Sequence, residues 1–231
     1  MKKLSVLRVK NVLNNLNQIK MINSEDSLQT LTEIRDMMAR SSKFISLSGL
    51  SGISAGVAAL IGALVAYMRF KTDAFNYTSN DLPALVSHQE MYEFILLDGA
   101  CVLVVAITFG IFFTIKKARR SGHTVWNDTS KRLLVSLFTP LIAGGLFCIA
   151  LFYRNLVWVC FPSTLIFYGL ALINASKYTL RDVEYLGILE VALGLISLFI
   201  TGFNLLFWAI GFGLLHIIYG ALMYFKYDIK S

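Results

Sequence analysis

The sequence predicts an all-α, polytopic membrane protein, a six-transmembrane-helix bundle with the N-terminus and C-terminus both cytoplasmic. The first observation is composition: hydrophobic residues make up 56% of the 231 residues and charged residues only 15%. Ordinary soluble domains carry about 25% charged residues. The second is the presence of apolar runs of about 20 residues, the length that crosses a bilayer core. The third is the clustering of positive charges in alternate connections, which is typical of membrane topology.

The chain divides into two predicted parts. Residues 1–43 form a basic, amphipathic cytoplasmic segment, and residues 44–231 form the transmembrane domain. The predicted spans cover approximately residues 44–67, 94–115, 133–152, 156–174, 185–201 and 204–225. One compact bundle accounts for this length of chain.

The positive charges support this span count independently of hydropathy. Eight Lys and Arg residues precede the first span, six lie in 116–132, two separate the fourth and fifth spans, and two follow the last. Only Arg69, Lys71 and Arg154 fall on the opposite side. Because Lys and Arg mark cytoplasmic loops, both termini are predicted to be cytoplasmic, which requires an even number of spans.

The N-terminal segment is predicted to contain an amphipathic helix rather than a cleaved signal. Arg8 and Lys10 interrupt its apolar residues, whereas Leu28, Leu31 and Met38 recur at helical spacing. Such a basic helix could lie on anionic lipid at the inner leaflet. Packing beneath the loops of the bundle is the alternative.

Small residues recur at helical spacing in the first, fifth and sixth spans. In lipid, close approach of helix backbones drives association, so these stripes are predicted to be packing surfaces. The partner of the first stripe is left open, either another helix of the chain or a second copy. Pro140 and Pro162 are predicted to kink the third and fourth spans. The predicted packing residues are Ser48, Gly52, Gly56, Ala59, Gly187, Gly194, Gly213 and Gly220.

Two ionisable residues of the last two spans are predicted to pair. Glu190 precedes Phe203, the middle of the intervening turn, by as many residues as His216 follows it. In an antiparallel hairpin they therefore lie at equal depth, and packing the two small-residue stripes together would bring them into contact. The pair is either a proton relay or ion contact, or a structural link between helices.

Other polar residues of the spans are accessory candidates. Asp98 lies one turn inside the second span, where a helix N-terminus stabilises an anion. Ser197 lies two helical turns after Glu190 on the same face of the fifth span, and Thr139 directly precedes Pro140 in the third. Each of these also has an ordinary structural explanation.

No recurring catalytic motif is found in the sequence. It has no HExxH, GxSxG or P-loop motif, and its three cysteines form no CxxC pair. No catalytic residue, metal site or cofactor is therefore predicted. The net charge of +7 is interpreted as a topology signal, not as a nucleic-acid surface.

The predicted function is therefore non-enzymatic, a regulatory or scaffolding role exerted through the bundle and the basic N-terminal helix. The expected partners are the lipid bilayer and either a second copy of the chain or a cytoplasmic protein. The alternative is a small transporter or channel that uses Glu190, His216 and Asp98. A membrane-embedded enzyme is the weakest alternative.

A local resemblance accompanies these predictions. The run FISLSGLSG at 44–52, which follows MARSS at 38–42 with Lys43 between them, resembles a group of uncharacterised bacterial inner-membrane proteins with six predicted transmembrane helices. The resemblance covers about residues 28–67. It implies a multi-pass location in the bacterial inner membrane, and it implies no activity.

Overall fold

A computed structural model describes residues 48–70, 88–120, 126–200 and 202–228. The regular elements in these ranges are all helical, which confirms the predicted all-α class. The predicted amphipathic helix within residues 1–43 lies outside the described residues, so it stays a prediction.

Six long helices follow one another within the described residues. A short 3₁₀ turn, Ser176–Tyr178, separates the fourth from the fifth. The sixth alternates between α-helical and π-helical winding. The helices are α1 (Gly49–Phe70), α2 (His88–Arg120), α3 (Asp128–Tyr153), α4 (Val157–Ala175), α5 (Asp182–Phe199) and α6 (Asn204–Asp228).

Five of these helices, α1 to α4 and α6, are long and apolar enough to cross a membrane. This finding agrees with the predicted membrane class. The remaining helix, α5, coincides with the fifth predicted span but is only 18 residues long. It carries three acidic residues, Asp182, Glu184 and Glu190, within those 18, and this charge sets it apart from the apolar stretches of the other five.

Local sequence explains how several helices begin, turn and continue. Asn127 caps α3, because its side chain accepts from the Ser130 backbone while the Ser130 hydroxyl accepts from the Asn127 backbone. Gly202 adopts a φ of 93° in the α5–α6 turn, a conformation that glycine adopts without steric cost. Pro140 lies within α3 and Pro162 within α4, and neither ends its helix.

Helix α1 packs between α2 and α6, and it runs antiparallel to both. On one side, Gly62 of α1 faces Val102 of α2. On the other side, a Cβ atom on Gly56 would lie only 2.6 Å from the carbonyl oxygen of Gly213 in α6. The partner of the small residues in α1 is therefore a helix of the same chain.

Helix α4 packs in the same way between α3 and α5. Gly144 of α3 faces the ring of Phe167 in α4. Gly169 of α4 and Gly187 of α5 face each other, since a Cβ on either would approach the other's carbonyl oxygen to 2.6–2.7 Å. Close backbone contact thus fixes α5 against α4.

The two small-residue stripes of α5 and α6 were expected to pack on each other, and this expectation is wrong. Gly194, like Gly187, faces α4, where its nearest neighbours belong to Pro162 and Ile166. Gly213 and Gly220 face α1 instead. The glycines of α5 pack on α4 and those of α6 pack on α1, so α5 and α6 contact each other through other residues.

The outward faces of α2 and α3 are apolar and open. None of the residues in the most apolar stretch of α2 is buried. Gly99 and Gly110 of α2 and Gly145 of α3 have nothing within 4 Å of a Cβ position. In a bilayer, such surfaces contact lipid chains.

Candidate functional site

Three helices bring a carboxyl, an imidazole and a phenol together inside the bundle. Glu190 lies in the middle of α5, His216 lies in α6, and Tyr168 lies in α4. We call these three residues the Glu–His–Tyr cluster. Both Glu190 and His216 are buried, and the Glu190 side chain has no exposed surface.

The cluster is arranged around the imidazole ring. His216 Nδ1 lies 3.3 Å from Glu190 Oε1 and 3.0 Å from the backbone carbonyl oxygen of Gly211. On the other side of the ring, Nε2 lies 2.9 Å from the hydroxyl of Tyr168. The structure thus places the two predicted residues beside each other.

The hydrogen-bond partners determine which ring nitrogen carries a hydrogen. The Gly211 carbonyl oxygen can only accept, so Nδ1 of His216 donates to it. In the neutral imidazole Nε2 is then the acceptor, and the Tyr168 hydroxyl donates to it. The ring is held by one bond within α6 and one bond to α4.

The Glu190 carboxyl has a different environment. Both of its oxygens are buried, and neither forms a hydrogen bond with any residue that the structure describes. Oε2 lies 2.6 Å from the position that a Cβ on Gly211 would occupy, so the missing side chain makes room for the carboxyl. A buried carboxylate without hydrogen bonds carries a large desolvation cost.

Aromatic rings cover the imidazole side of the cluster. The Phe212 ring lies 5.0 Å from the Tyr168 ring and 5.9 Å from the His216 ring, centroid to centroid. Trp208 extends the stack, with its ring 5.0 Å from that of Phe212. The imidazole is therefore packed against aromatic rings on this side.

The winding of α6 positions Gly211 and His216 relative to each other. Ala209–Leu215 is π-helical, and His216 follows it directly. The Gly211 carbonyl, five positions earlier, accepts from the His216 side chain, whereas the His216 backbone N–H donates to the Gly213 carbonyl. Short π segments inside α-helices occur frequently at functional sites.

The accessory residues are not part of this cluster. Asp98 packs beside Gly62 at the α1–α2 contact. The hydroxyl of Ser197 donates to Asn204 Oδ1 at 3.0 Å, linking α5 to α6. Thr139 donates to the Val135 carbonyl within α3.

A second group of polar residues joins the helix ends and was not predicted from the sequence. Asp228 at the end of α6 accepts from the Ser48 hydroxyl at 2.9 Å, the Gly49 backbone N–H at 3.0 Å and Lys117 Nζ at 2.6 Å. One carboxylate therefore connects α1, α2 and α6.

The start of α5 is held at the end of α6 in a similar way. Asp182 accepts from Lys226 Nζ and from the Tyr227 hydroxyl, each at 2.8 Å. Tyr219, one turn beyond His216, has a buried hydroxyl that forms no hydrogen bond with the described residues. Its ring packs against the same buried residues, Leu172, Val183 and Leu186, as the ring of Tyr168.

The sequence offered only a weak signal for Tyr168 and Asp228. Tyr168 is a single tyrosine in an apolar span, where an aromatic residue normally contributes to packing. Asp228 is the one acidic residue in a short basic tail that contains Lys226 and Lys230. An acidic residue among positive charges at a helix end was the available clue.

The carboxyl, imidazole and phenol of the cluster are groups that can form hydrogen bonds and bind or release protons. Among the described residues, no three His, Cys, Asp or Glu side chains come together in a way that could hold a metal, and Cys101, Cys148 and Cys160 are free thiols.

The chain matches no protein-family model, no curated protein and no solved structure.

Proposed function

We propose that this chain is a non-enzymatic integral membrane protein with a scaffolding or regulatory role. In this proposal it lies in a bacterial inner membrane, crosses it six times and keeps both termini in the cytoplasm. The location rests on the positive charges of the loops and on the resemblance at residues 28–67.

The packing of α5 supports a sixth span. Gly187 and Gly194 lie against α4, so α5 runs back along a helix that is itself long enough to cross the membrane. At 1.5 Å per residue its 18 residues cover about 27 Å, close to the thickness of the hydrocarbon core. The acidic Asp182 and Glu184 lie at one end of the helix.

The observation that carries the scaffolding role is that polar side chains of the spans join one helix to another. Asn174 of α4 donates to the Ser136 carbonyl of α3 at 2.8 Å. Ser197 bonds to Asn204, and Tyr168 bonds to His216. Such bonds fix the arrangement of a bundle and leave its apolar outer faces, notably α2, for lipid or a membrane partner.

Reconstitution into vesicles tests this proposal. Purified protein in vesicles with an enclosed pH dye should give the same proton leak as empty vesicles under an imposed potential. Matched measurements with Na⁺ and K⁺ dyes extend the test to other ions. Ion flux well above that of empty vesicles would contradict a purely scaffolding role.

The basic N-terminal segment provides a second test. In vesicles with anionic lipid, residues 1–43 should be protected from protease, and this protection should weaken at high salt because surface electrostatics are screened. The matched control is the same chain in neutral lipid. Equal digestion in both lipids would argue against a lipid-binding segment.

A transporter or channel is the second candidate, and one observation favours it. The buried Glu190 carboxyl has no hydrogen-bond partner among the described residues, and ionisable groups inside membranes commonly mark ion pathways. In the same flux assay, transport that Glu190→Gln abolishes would support this candidate. Asp98 lies at a different helix contact, so Asp98→Asn should leave that flux unchanged.

A further inference from the structure

We infer that Glu190 is a proton-binding site, and that Tyr168 and His216 form the route by which its proton exchanges. This inference does not depend on the scaffolding role, because a proton can bind and exchange without crossing the membrane. It rests on the geometry of the Glu–His–Tyr cluster.

The first step is the state of the carboxyl. Glu190 is fully buried, and its oxygens accept no hydrogen bond from the described residues. A carboxylate in such a place would lack the donors that stabilise its charge, whereas a neutral carboxylic acid avoids that cost. The one described cationic candidate within 4.0 Å is His216.

The second step is the direction of the imidazole N–H. Nδ1 of His216 lies nearer to the Gly211 carbonyl oxygen, at 3.0 Å, than to Glu190 Oε1, at 3.3 Å. Only the Gly211 contact satisfies the geometry of a hydrogen bond. The Nδ1 hydrogen is thus directed to a neutral carbonyl rather than to the carboxyl, and in this tautomer Glu190 is left without a hydrogen-bond donor among the described residues.

The groups that face the carboxyl from the packed helices are few. Tyr168 lies on the α4 side of the cluster, where it bonds to His216 Nε2, and His216 lies beside the carboxyl on α6. Tyr219 of α6 and Asp182 of α5 lie farther along, toward the end of the bundle where α5 begins. In this proposal a proton reaches Glu190 from the end of the bundle where α5 begins, by way of Tyr168 and His216.

The exchange step balances within the cluster. Tyr168 O–H gives its proton to Nε2 of His216 and receives another proton on the side facing Tyr219. The resulting imidazolium then releases the Nδ1 proton to Oε1 of the Glu190 carboxylate, which leaves a neutral acid and an imidazole whose hydrogen is on Nε2. The same transfers in reverse return a proton to the phenol, which releases one on the side facing Tyr219, and they restore the Nδ1 hydrogen that the Gly211 carbonyl accepts. No bond between heavy atoms changes.

Infrared spectroscopy of the full chain in lipid nanodiscs tests the site. At neutral pH the wild-type spectrum should contain a protonated carboxyl stretch that is lost in Glu190→Gln and retained in Asp98→Asn. Glu190→Asp, which keeps a carboxyl in the same place, should shift the band rather than remove it. No loss of intensity in Glu190→Gln, with the variant still folded, would overturn the inference.

Deuterium exchange tests the route. After transfer to heavy water, the Glu190 band should shift on the order of a hundredfold more slowly in Tyr168→Phe than in the wild type, because a positioned proton donor is removed. The control is Tyr185→Phe, at an exposed position of α5. Equal exchange times in Tyr168→Phe and the wild type would exclude Tyr168 from the route.

Discussion

Substitution of Gly56 by alanine tests the central contact between α1 and α6. The added Cβ would lie 2.6 Å from the carbonyl oxygen of Gly213 and 3.0 Å from the backbone nitrogen of Ile217. Both are backbone atoms, so no flexible side chain can move aside and the two helices must separate. Overpacking of this kind costs about 1–3 kcal/mol, which shifts the unfolding equilibrium constant about 5- to 150-fold.

The measurement is equilibrium unfolding in mixed micelles, followed by tryptophan fluorescence. Gly56→Ala should unfold at a lower denaturant fraction than the wild type, and Gly56→Leu at a lower one still. The control is Gly99→Ala in α2, where a Cβ has open space around it. If both alanine variants unfold together with the wild type, the α1–α6 contact deduced here is wrong.

Three further predictions follow from other contacts. Asp228→Asn should lower the free energy of unfolding by about 1.5–3 kcal/mol, the usual contribution of hydrogen bonds to charged groups. The control is Asp128→Asn, where the side chain is 91% exposed, and this change should alter the free energy of unfolding little. Ser197→Ala should cost about 0.6 kcal/mol in the same unfolding assay, typical of interhelical bonds in membranes. If α5 is a span, cysteines introduced at Lys177 and Phe203, with the native cysteines replaced, should react with an impermeant thiol reagent from opposite sides of the membrane. Reaction of both cysteines from the same side would mean that α5 does not cross the membrane and that the chain has five spans.

Much of the fold could be predicted because span length and apolar composition are local properties. The helix boundaries differ from the predicted ones mainly where helices extend beyond the apolar core. α2, for example, begins at His88 and ends at Arg120, whereas the predicted span covers 94–115. Polar residues extend the helix into the membrane interface, but a span predicted from hydropathy includes only the apolar core of the helix.

The equal depth of Glu190 and His216 could be anticipated from the sequence, but the helix faces that bring them into contact could not. Their equal distance from the α5–α6 turn fixes their level in the bundle, whichever faces the helices present. Tyr168 could not be anticipated in this way, because it comes from α4. Nothing in its local sequence indicates which neighbouring helix its hydroxyl meets.

The packing of the stripes could not be predicted because α6 does not keep one helical period. A period of 3.6 residues would place Gly213, His216 and Gly220 on a single face. The π-helical winding of Ala209–Leu215 changes the angular step just before His216. Gly213 and Gly220 consequently pack on α1, while the His216 side chain bonds to Tyr168 of α4 and lies beside Glu190.

The same winding explains how α6 packs against α1 and α5 at once. Its glycines allow the α1 backbone to approach on one side, and Gly211 makes room for the Glu190 carboxyl on the other. A regular α-helix that used this glycine stripe to pack on α1 would direct His216 toward α1 as well. The π segment therefore separates the packing surface of α6 from its polar cluster, and it is the feature on which the position of His216 depends.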